Sequence, residues 1–433
     1  MDTIQKLFRF LDESPTCYHA AANVLTALKE AGAVELRESE PWKLERGGLY
    51  AVERGDSAVI AFRVPEEPFR GFLLAAAHSD SPTFRIRENP ELPSAGNTLR
   101  LSTEPYCGGI WRGWLDRPLS AAGRVVIRQG NRLLRRLVTI DRDLLVIPSV
   151  AIHMDRTVNK GTELNPAVDL LPLLGCGKEP GAFRKLIAGA AGVREENLLS
   201  TDLFLYPRAR AVQTGLNGEF IMSPRLDDLQ CVFGCLEGFL TAQPGGSLPV
   251  LAVFNNEEVG SNTRQGADST FLTDVLERIA HGCGLNREEW KAAAAGSFLV
   301  SADNAHAIHP AHPEYADKGE FPMLNGGIVI KYNANQRYAT DAVSAAVFQS
   351  VCQKAGVPVQ RYSNRADLPG GSTLGSISTA HLSVPTVDIG LPQLAMHSVC
   401  ETAGAADTDF LISAMAAYFS GDFRYDDDGG ITL

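Results

Sequence analysis

The sequence has no run of the ~20 apolar residues that a membrane span needs, so no membrane partner is expected. Positive charge is not in excess: 40 Lys and Arg against 51 Asp and Glu leave a net charge of −11, without the basic footprint of a nucleic-acid surface. The 8 cysteines, at positions 17, 107, 176, 231, 235, 283, 352 and 400, contain no Cys-x-x-Cys pair. This excludes a dithiol redox motif and a thiolate zinc knuckle, and reads as mostly buried thiols in a reducing compartment. The opening stretch MDTIQKLFRFLDES is broken by Asp2, Lys6 and Arg9 and lacks the uninterrupted apolar core of a secretory signal. A cytoplasmic location is expected. Internal repeats and low-complexity tracts are also missing.

What is present is ordinary globular composition, 45% hydrophobic and 21% charged over 433 residues, enough for about two to three domains at roughly 150 residues each. Two N-terminal stretches, Ile4 to Leu11 and Tyr18 to Ala31, carry apolar residues at helical spacing. The run GFLLAAAHSDS is then continuously apolar from Phe72 to Ala77 before turning polar, the pattern of a strand buried on both faces that emerges at a loop. The same design recurs in LPVLAVFNNEEVG, GSFLVSADNAH and VPTVDIGLPQLAMHS, with helical patterns such as Leu229 to Thr241 and Ala342 to Ala355 between them. This alternation predicts an α/β fold with a mixed, largely parallel sheet sandwiched by helices.

From about Arg85 to Met222 the pattern changes to short strands separated by Gly, Asn and Pro turns, which predicts a β-rich insertion. The expected organisation is an α/β domain in two segments, residues 1–84 and 223–433, split by the insertion at 85–222. Arginines 124, 128, 132, 135 and 136 alternate across a hairpin turned at Gln129-Gly130-Asn131 and read as a solvent face or subunit contact.

The strand ends supply His78 and Asp80, Glu257 and Glu258, Asp303, and His397, while SPRLDDLQ supplies Asp227 and Asp228 before a helix. Ligands of open α/β sheets bind outside the carboxyl ends of strands, so these residues could meet in one cleft. Imidazole with carboxylate suits Zn²⁺ and similar ions, and a pair of ions needs one carboxylate that can bridge. Each cluster alone is weak, since a His-x-Asp is commonly a structural pair and Glu-Glu after a strand a solvated turn. Their repetition at several strand ends carries the signal. Other templates fit worse: in Gly370-Gly371-Ser372-Thr373-Leu374 no Gly stands two after Ser372, and GCGKEP lacks the Ser or Thr that a phosphate loop places after Lys178.

With AAHSDSP, GGIWRGWLDRPL, VAIHMDR, SPRLDDL, NNEEVGS, SADNAHAIHP, VIKYNANQRYA, PGGSTLGSI and PQLAMHS in this order, the chain resembles the aspartyl aminopeptidase family of dinuclear metallopeptidases over nearly its whole length. The resemblance implies a metallo-exopeptidase fold with an inserted β dimerisation domain, and assembly from dimers into a tetrahedral dodecamer that encloses its active sites. It implies two divalent ions per subunit, zinc first with cobalt or manganese as alternatives. His78, Asp227 and Asp303 would hold one; Asp227, Glu258 and His397 the other, with Asp227 bridging. It makes Glu257 the general base towards a metal-activated water and Asp80 the acid that orients His78. Asp228 reads as helix N-terminal charge rather than a ligand.

For the substrate, the resemblance implies peptides with a free N-terminus and points to Lys331 as the cation for an acidic first side chain. The other reading of Lys331 is neutralisation of nearby acids. His153 corresponds to a histidine supplied across a subunit contact, or else is satisfied within the insertion. His306 and His309 flank Asp303 and could line the pocket, and Gly371, Ser372 or Thr373 could donate to an oxyanion, a tight turn being the alternative. His19, His281, His312 and His381 read as structural or surface residues. Competing functions are a related dinuclear deacylase or carboxypeptidase, and an oligomeric scaffold with vestigial activity.

Overall fold

Continuous apolar runs make strands here because both faces of each are covered, and alternation decides which face each side chain serves. The computed structural model describes residues 2–177, 179–368, 370–371, 373–426 and 430–432. In chain order come α1 (Thr3–Asp12), α2 (Cys17–Glu30), β1 (Val34–Leu36), β2 (Leu49–Arg54), β3 (Ala58–Arg63) and β4 (Phe72–His78). Then follow β5 (Thr83–Ser94), β6 (Thr98–Tyr106), β7 (Leu119–Gln129), β8 (Arg132–Thr139), β9 (Leu173–Cys176), α3 (Ala182–Ala190) and β10 (Leu198–Pro207). Next are β11 (Val212–Thr214), β12 (Phe220–Ser223), α4 (Leu226–Thr241), β13 (Leu248–Phe254), α5 (Phe271–Gly282), α6 (Arg287–Ala295), β14 (Phe298–Ala302) and β15 (Ala305–His306). The chain continues with β16 (Ile328–Tyr332), α7 (Ala342–Ala355), β17 (Val359–Ser363), α8 (Leu374–His381), β18 (Thr386–Gly390), β19 (Pro392–Leu394), β20 (Glu401–Gly404) and α9 (Asp407–Phe419).

The main sheet has nine strands in the order β1-β2-β3-β13-β4-β14-β18-β16-β17. Its centre, β13-β4-β14-β18, is parallel throughout, and every residue of those four strands is buried. Along β4, Leu73, Ala75 and Ala77 pack towards α1, α2, α4, α7 and α9, whereas Phe72, Leu74 and Ala76 pack towards α5, α6 and α8. The period of two therefore builds a sheet with helices on both faces, as the sequence predicts.

Helix α4 runs through the first helical layer and lies close against α9. Gly234 and Gly238 permit this approach: a Cβ at Gly234 would lie 2.6 Å from Leu411 Cδ2, and one at Gly238 2.5 Å from Met415 Cβ. The close fit anchors the helix whose first turn carries Asp227 and Asp228.

Strands β5 to β10 form a separate six-stranded antiparallel-paired sheet, in the order β8-β7-β10-β5-β6-β9, with its own core including Phe84, Leu119, Ile127 and Leu203 and capped by α3. β7 and β8 are the hairpin expected around Gln129 to Asn131. Arg124 departs from the expected solvent face: its guanidinium is 2.9 Å from Asp56 Oδ2 and 2.6 Å from Asp202 Oδ2, while Arg135 meets the other Asp56 oxygen at 2.7 Å. These arginines tie the second sheet to the loop between β2 and β3. A third, five-stranded sheet, β11-β12-β20-β19-β15, pairs Phe220–Ser223 with Glu401–Gly404.

Candidate metal centre

The parallel strands deliver their side chains to one place. His78 is the last residue of β4 and pairs across the sheet with Phe254, the last residue of β13, so the turn carrying Glu257 and Glu258 begins beside it. Asp303 follows β14, the strand on the other side of β4. Asp227 and His397 come from elsewhere, the first from the start of α4 and the second from the loop between β19 and β20.

Asp227 stands between two groups of ligand atoms. Its Oδ1 is 3.5 Å from His78 Nε2, and its Oδ2 is 3.5 Å from His397 Nε2. Asp303 Oδ1 lies 3.8 Å from His78 Nε2, and Glu258 Oε2 lies 3.3 Å from His397 Nε2. All five residues predicted as ligands therefore converge. Ligand atoms on a tetrahedral zinc sit roughly 3.3–3.5 Å apart, given bonds of about 2.0–2.3 Å, so these separations suit ions of that size.

Charge and hydrogen bonding fit a cation as well. Asp227 Oδ1, Asp228 Oδ1 and Glu258 Oε1 are buried yet have no hydrogen-bond partner, which is costly for a carboxylate unless a cation answers it. Burial pushes the Glu258 and Asp228 carboxyls well above the usual range, with Asp227 adding to both. For His78, burial would lower the pKa, but Asp227, Asp303 and Asp80 override it and raise it well above the ordinary imidazole value. A site in which buried acids are driven to hold protons is one that positive ions stabilise.

Asp80 meets His78 mainly through the backbone. His78 Nδ1 is 3.1 Å from the Asp80 carbonyl oxygen and 3.5 Å from its carboxylate. The Asp80 carboxylate accepts instead from the backbone N–H groups of Glu257 and Glu258, both at 3.1 Å, and from the Tyr106 hydroxyl at 2.8 Å. It thereby fixes the turn that aims both glutamates. Glu257 is half-buried, and burial pushes its carboxyl up to about 8.

Other sequence candidates fall variously. Asp228 stands in the first turn of α4 as expected, but it is fully buried, accepts from the His78 backbone N–H at 3.1 Å and places a carboxylate oxygen within the cluster of His78, Asp227 and Asp303. The peptide bond joining it to Asp227 is cis. Lys331 is buried with Nζ 3.5 Å from Asp303 Oδ2. His306, His309 and His312 line a cleft with Tyr315 and Tyr362. His153 is exposed, with no hydrogen bond or ion pair to the cluster among the described residues. Gly371 is exposed, Ser372 lies outside the described residues, and the Thr373 hydroxyl is already committed to Asp388 at 2.5 Å. His19 is structural, bridging the Thr16 and Thr139 hydroxyls at 2.8 and 2.9 Å.

Two residues at the centre escaped the sequence reading. Glu401 is buried and accepts from the backbone N–H of Asp227 at 3.0 Å and of His397 at 2.8 Å. Cys107 places Sγ 3.1 Å from Glu258 Oε2. The usable signals were slight: Glu401 stands four residues after His397, and Cys107 opens the CGG turn before Trp111.

An α/β sheet whose strand ends, together with the start of α4 and the loop between β19 and β20, gather two clusters of side chains able to hold metal ions has the site of a metallohydrolase. Residues 10–419 match the family model described as aminopeptidase I zinc metalloprotease (M18), and the chain belongs to that family as a metallo-aminopeptidase. It is similar to the probable M18 family aminopeptidase 2 of Clostridium acetobutylicum, 43% identical over 428 residues that cover 97% of this chain and 99% of that protein. Among solved structures it resembles Ape4 in its complex with Nbr1, with a TM-score of 0.93 and 34% identity over 96% of this chain and 85% of that one. It also resembles the S. cerevisiae mApe1 dodecamer, with a TM-score of 0.86 and 25% identity over 96% of each chain. No helix among the described residues is long and apolar enough to cross a membrane.

Proposed function

We propose that the centre holds two divalent ions, zinc in the first instance, in the roles the sequence suggests: His78, Asp227 and Asp303 on one, Asp227, Glu258 and His397 on the other. The observation that carries this reading is the split of the Asp227 carboxylate, one oxygen towards each histidine at 3.5 Å. Ions in those positions supply Lewis acidity for a scissile carbonyl and bring the pKa of water towards neutrality.

Glu257 is the general base. Asp80 holds its backbone N–H, and its carboxylate belongs to neither ligand group, which leaves it to take a proton from water and return it to the leaving amine. Asp80 positions it. Lys331 neutralises Asp303, because that ion pair is internal and buried; selectivity for acidic first residues is the reading it displaces.

The substrates are peptides with a free N-terminus, and the protein works in the cytoplasm as a homo-oligomer. The assembly proposed is a tetrahedral dodecamer built from dimers, with residues 85–222 as the dimerisation unit and His153 reaching a neighbouring site. Val150, Ile152 and Met154 support this, since they are 57%, 48% and 83% exposed around His153, an apolar surface of the kind a second copy covers. The backbone N–H of Gly371 is proposed as a donor to the oxyanion, and His306 is proposed to meet the substrate. Glu257→Gln tests the assignment: the account expects two ions per chain still bound and kcat lowered by roughly 10²–10⁴-fold, whereas activity near that of the unaltered protein sinks the general base.

A further inference from the structure

Cys107 lies in the turn after β6, where its φ of +69° is in the left-handed region that favours glycine. Glycine follows at 108 and 109, and the Cys107 side chain reaches the metal centre. Its sulfur, a Glu258 oxygen and a His397 ring nitrogen all lie within 4.8 Å of one another. His397 Nδ1 is 2.8 Å from the Gly108 carbonyl, so the turn carrying Cys107 also orients that ring and leaves Nε2 facing Glu258 and Asp227.

A second observation independently points to an ion here. The Glu258 side chain is only 3% exposed, and its Oε1 has no hydrogen-bond partner although Oε2 has the thiol at 3.1 Å. A buried carboxylate that leaves one oxygen unanswered beside a thiol and an imidazole is a ligand set awaiting a cation.

We propose that Cys107 is a thiolate ligand of the ion held by Asp227, Glu258 and His397. The proposal rests on the dinuclear reading above and adds a sulfur to that position alone. As the metal–sulfur bond forms, the S–H bond breaks and its proton leaves to solvent. One sulfur, one nitrogen and two oxygens suit zinc, and cobalt as its stand-in. A soft donor disfavours manganese, so the two positions should differ in the ions they prefer: the sulfur-bearing one should reject manganese, while the position of His78, Asp227 and Asp303 accepts it.

Cobalt substitution of the full chain tests this. The protein is loaded with two cobalt ions and compared with Cys107→Gly and Cys107→Ser; glycine suits the backbone at this position, so that variant keeps the turn. The expected result is a near-ultraviolet thiolate-to-cobalt charge-transfer band in the unaltered protein, rising with one of the two ions and absent from both variants. Zinc retention at that position against a chelator should fall roughly 10–100-fold in the variants, at least as much as loss of a ligand's supporting partner costs. Two bound cobalt ions without the band, or a band that survives in both variants, overturns the thiolate and leaves the dinuclear centre standing. A protein that binds neither ion overturns both.

Discussion

The backbone N–H of Asp227 donates to Glu401 Oε2 at 3.0 Å, joining residues 174 positions apart in the chain. The other Glu401 oxygen accepts from the His397 N–H, so one buried carboxylate fixes the main chain of the bridging aspartate and of a histidine ligand. His397 has a φ of +65°, a conformation that such a bond helps to hold.

Glu401→Ala should therefore loosen metal binding by about 10–100-fold without removing a ligand. Glu401→Gln keeps one acceptor oxygen and should lie between the two. A zinc competition titration measures both variants, and unchanged zinc affinity in the alanine variant would show that Glu401 only fills space.

Lys331→Met tests the buried pair with Asp303. The account expects hydrolysis to fall in parallel for all first residues, because the change leaves Asp303 without its cation. A selective rise in KM for peptides beginning with Asp or Glu would instead restore the acidic pocket.

Gly238→Val should destabilise the fold by roughly 1–3 kcal/mol, since its Cβ falls on Met415 in a contact with no slack. Chemical denaturation reads this directly. Stability equal to that of the unaltered protein would mean that the contact between α4 and α9 yields to a larger side chain.

The pH dependence of stability should carry a contribution from His19. Burial and Arg225 lower its pKa from 6.5 to about 4. Between those values the unfolded chain binds more protons than the folded one, so stability rises with pH; the contribution is complete above 6.5 and is lost as pH falls through 4. The difference in unfolding free energy between the unaltered protein and His19→Gln should thus shrink on acidification, and a difference independent of pH contradicts the half-buried neutral ring.

Much of the site was legible because buried parallel strands leave a plain mark. Each is apolar until it reaches the loop, and His78, Glu257, Glu258 and Asp303 appear where the apolar run stops. The same runs showed the layered sheet, and helical spacing placed α7 at Ala342–Ala355. Cys107 and Glu401 left no such mark, since each has a partner in the centre more than 100 positions away and sits in a turn or a four-residue strand. The third sheet was hidden for the same reason: β15 and β19 are two and three residues long, too short to display a period. Arg124 alternates like a surface residue, yet Asp56 and Asp202 fold over it, a fact local pattern cannot contain.

The central claim is tested most directly by stripping the protein of metal and following hydrolysis of unblocked dipeptides beginning with Asp, Glu, Leu, Met and Lys, beside their N-acetylated counterparts, as zinc, cobalt or manganese is restored. The account predicts release of the first residue that returns as the second ion binds and occurs only from unblocked peptides. Equal cleavage of the blocked peptides, or no cleavage with both ions bound, would contradict it.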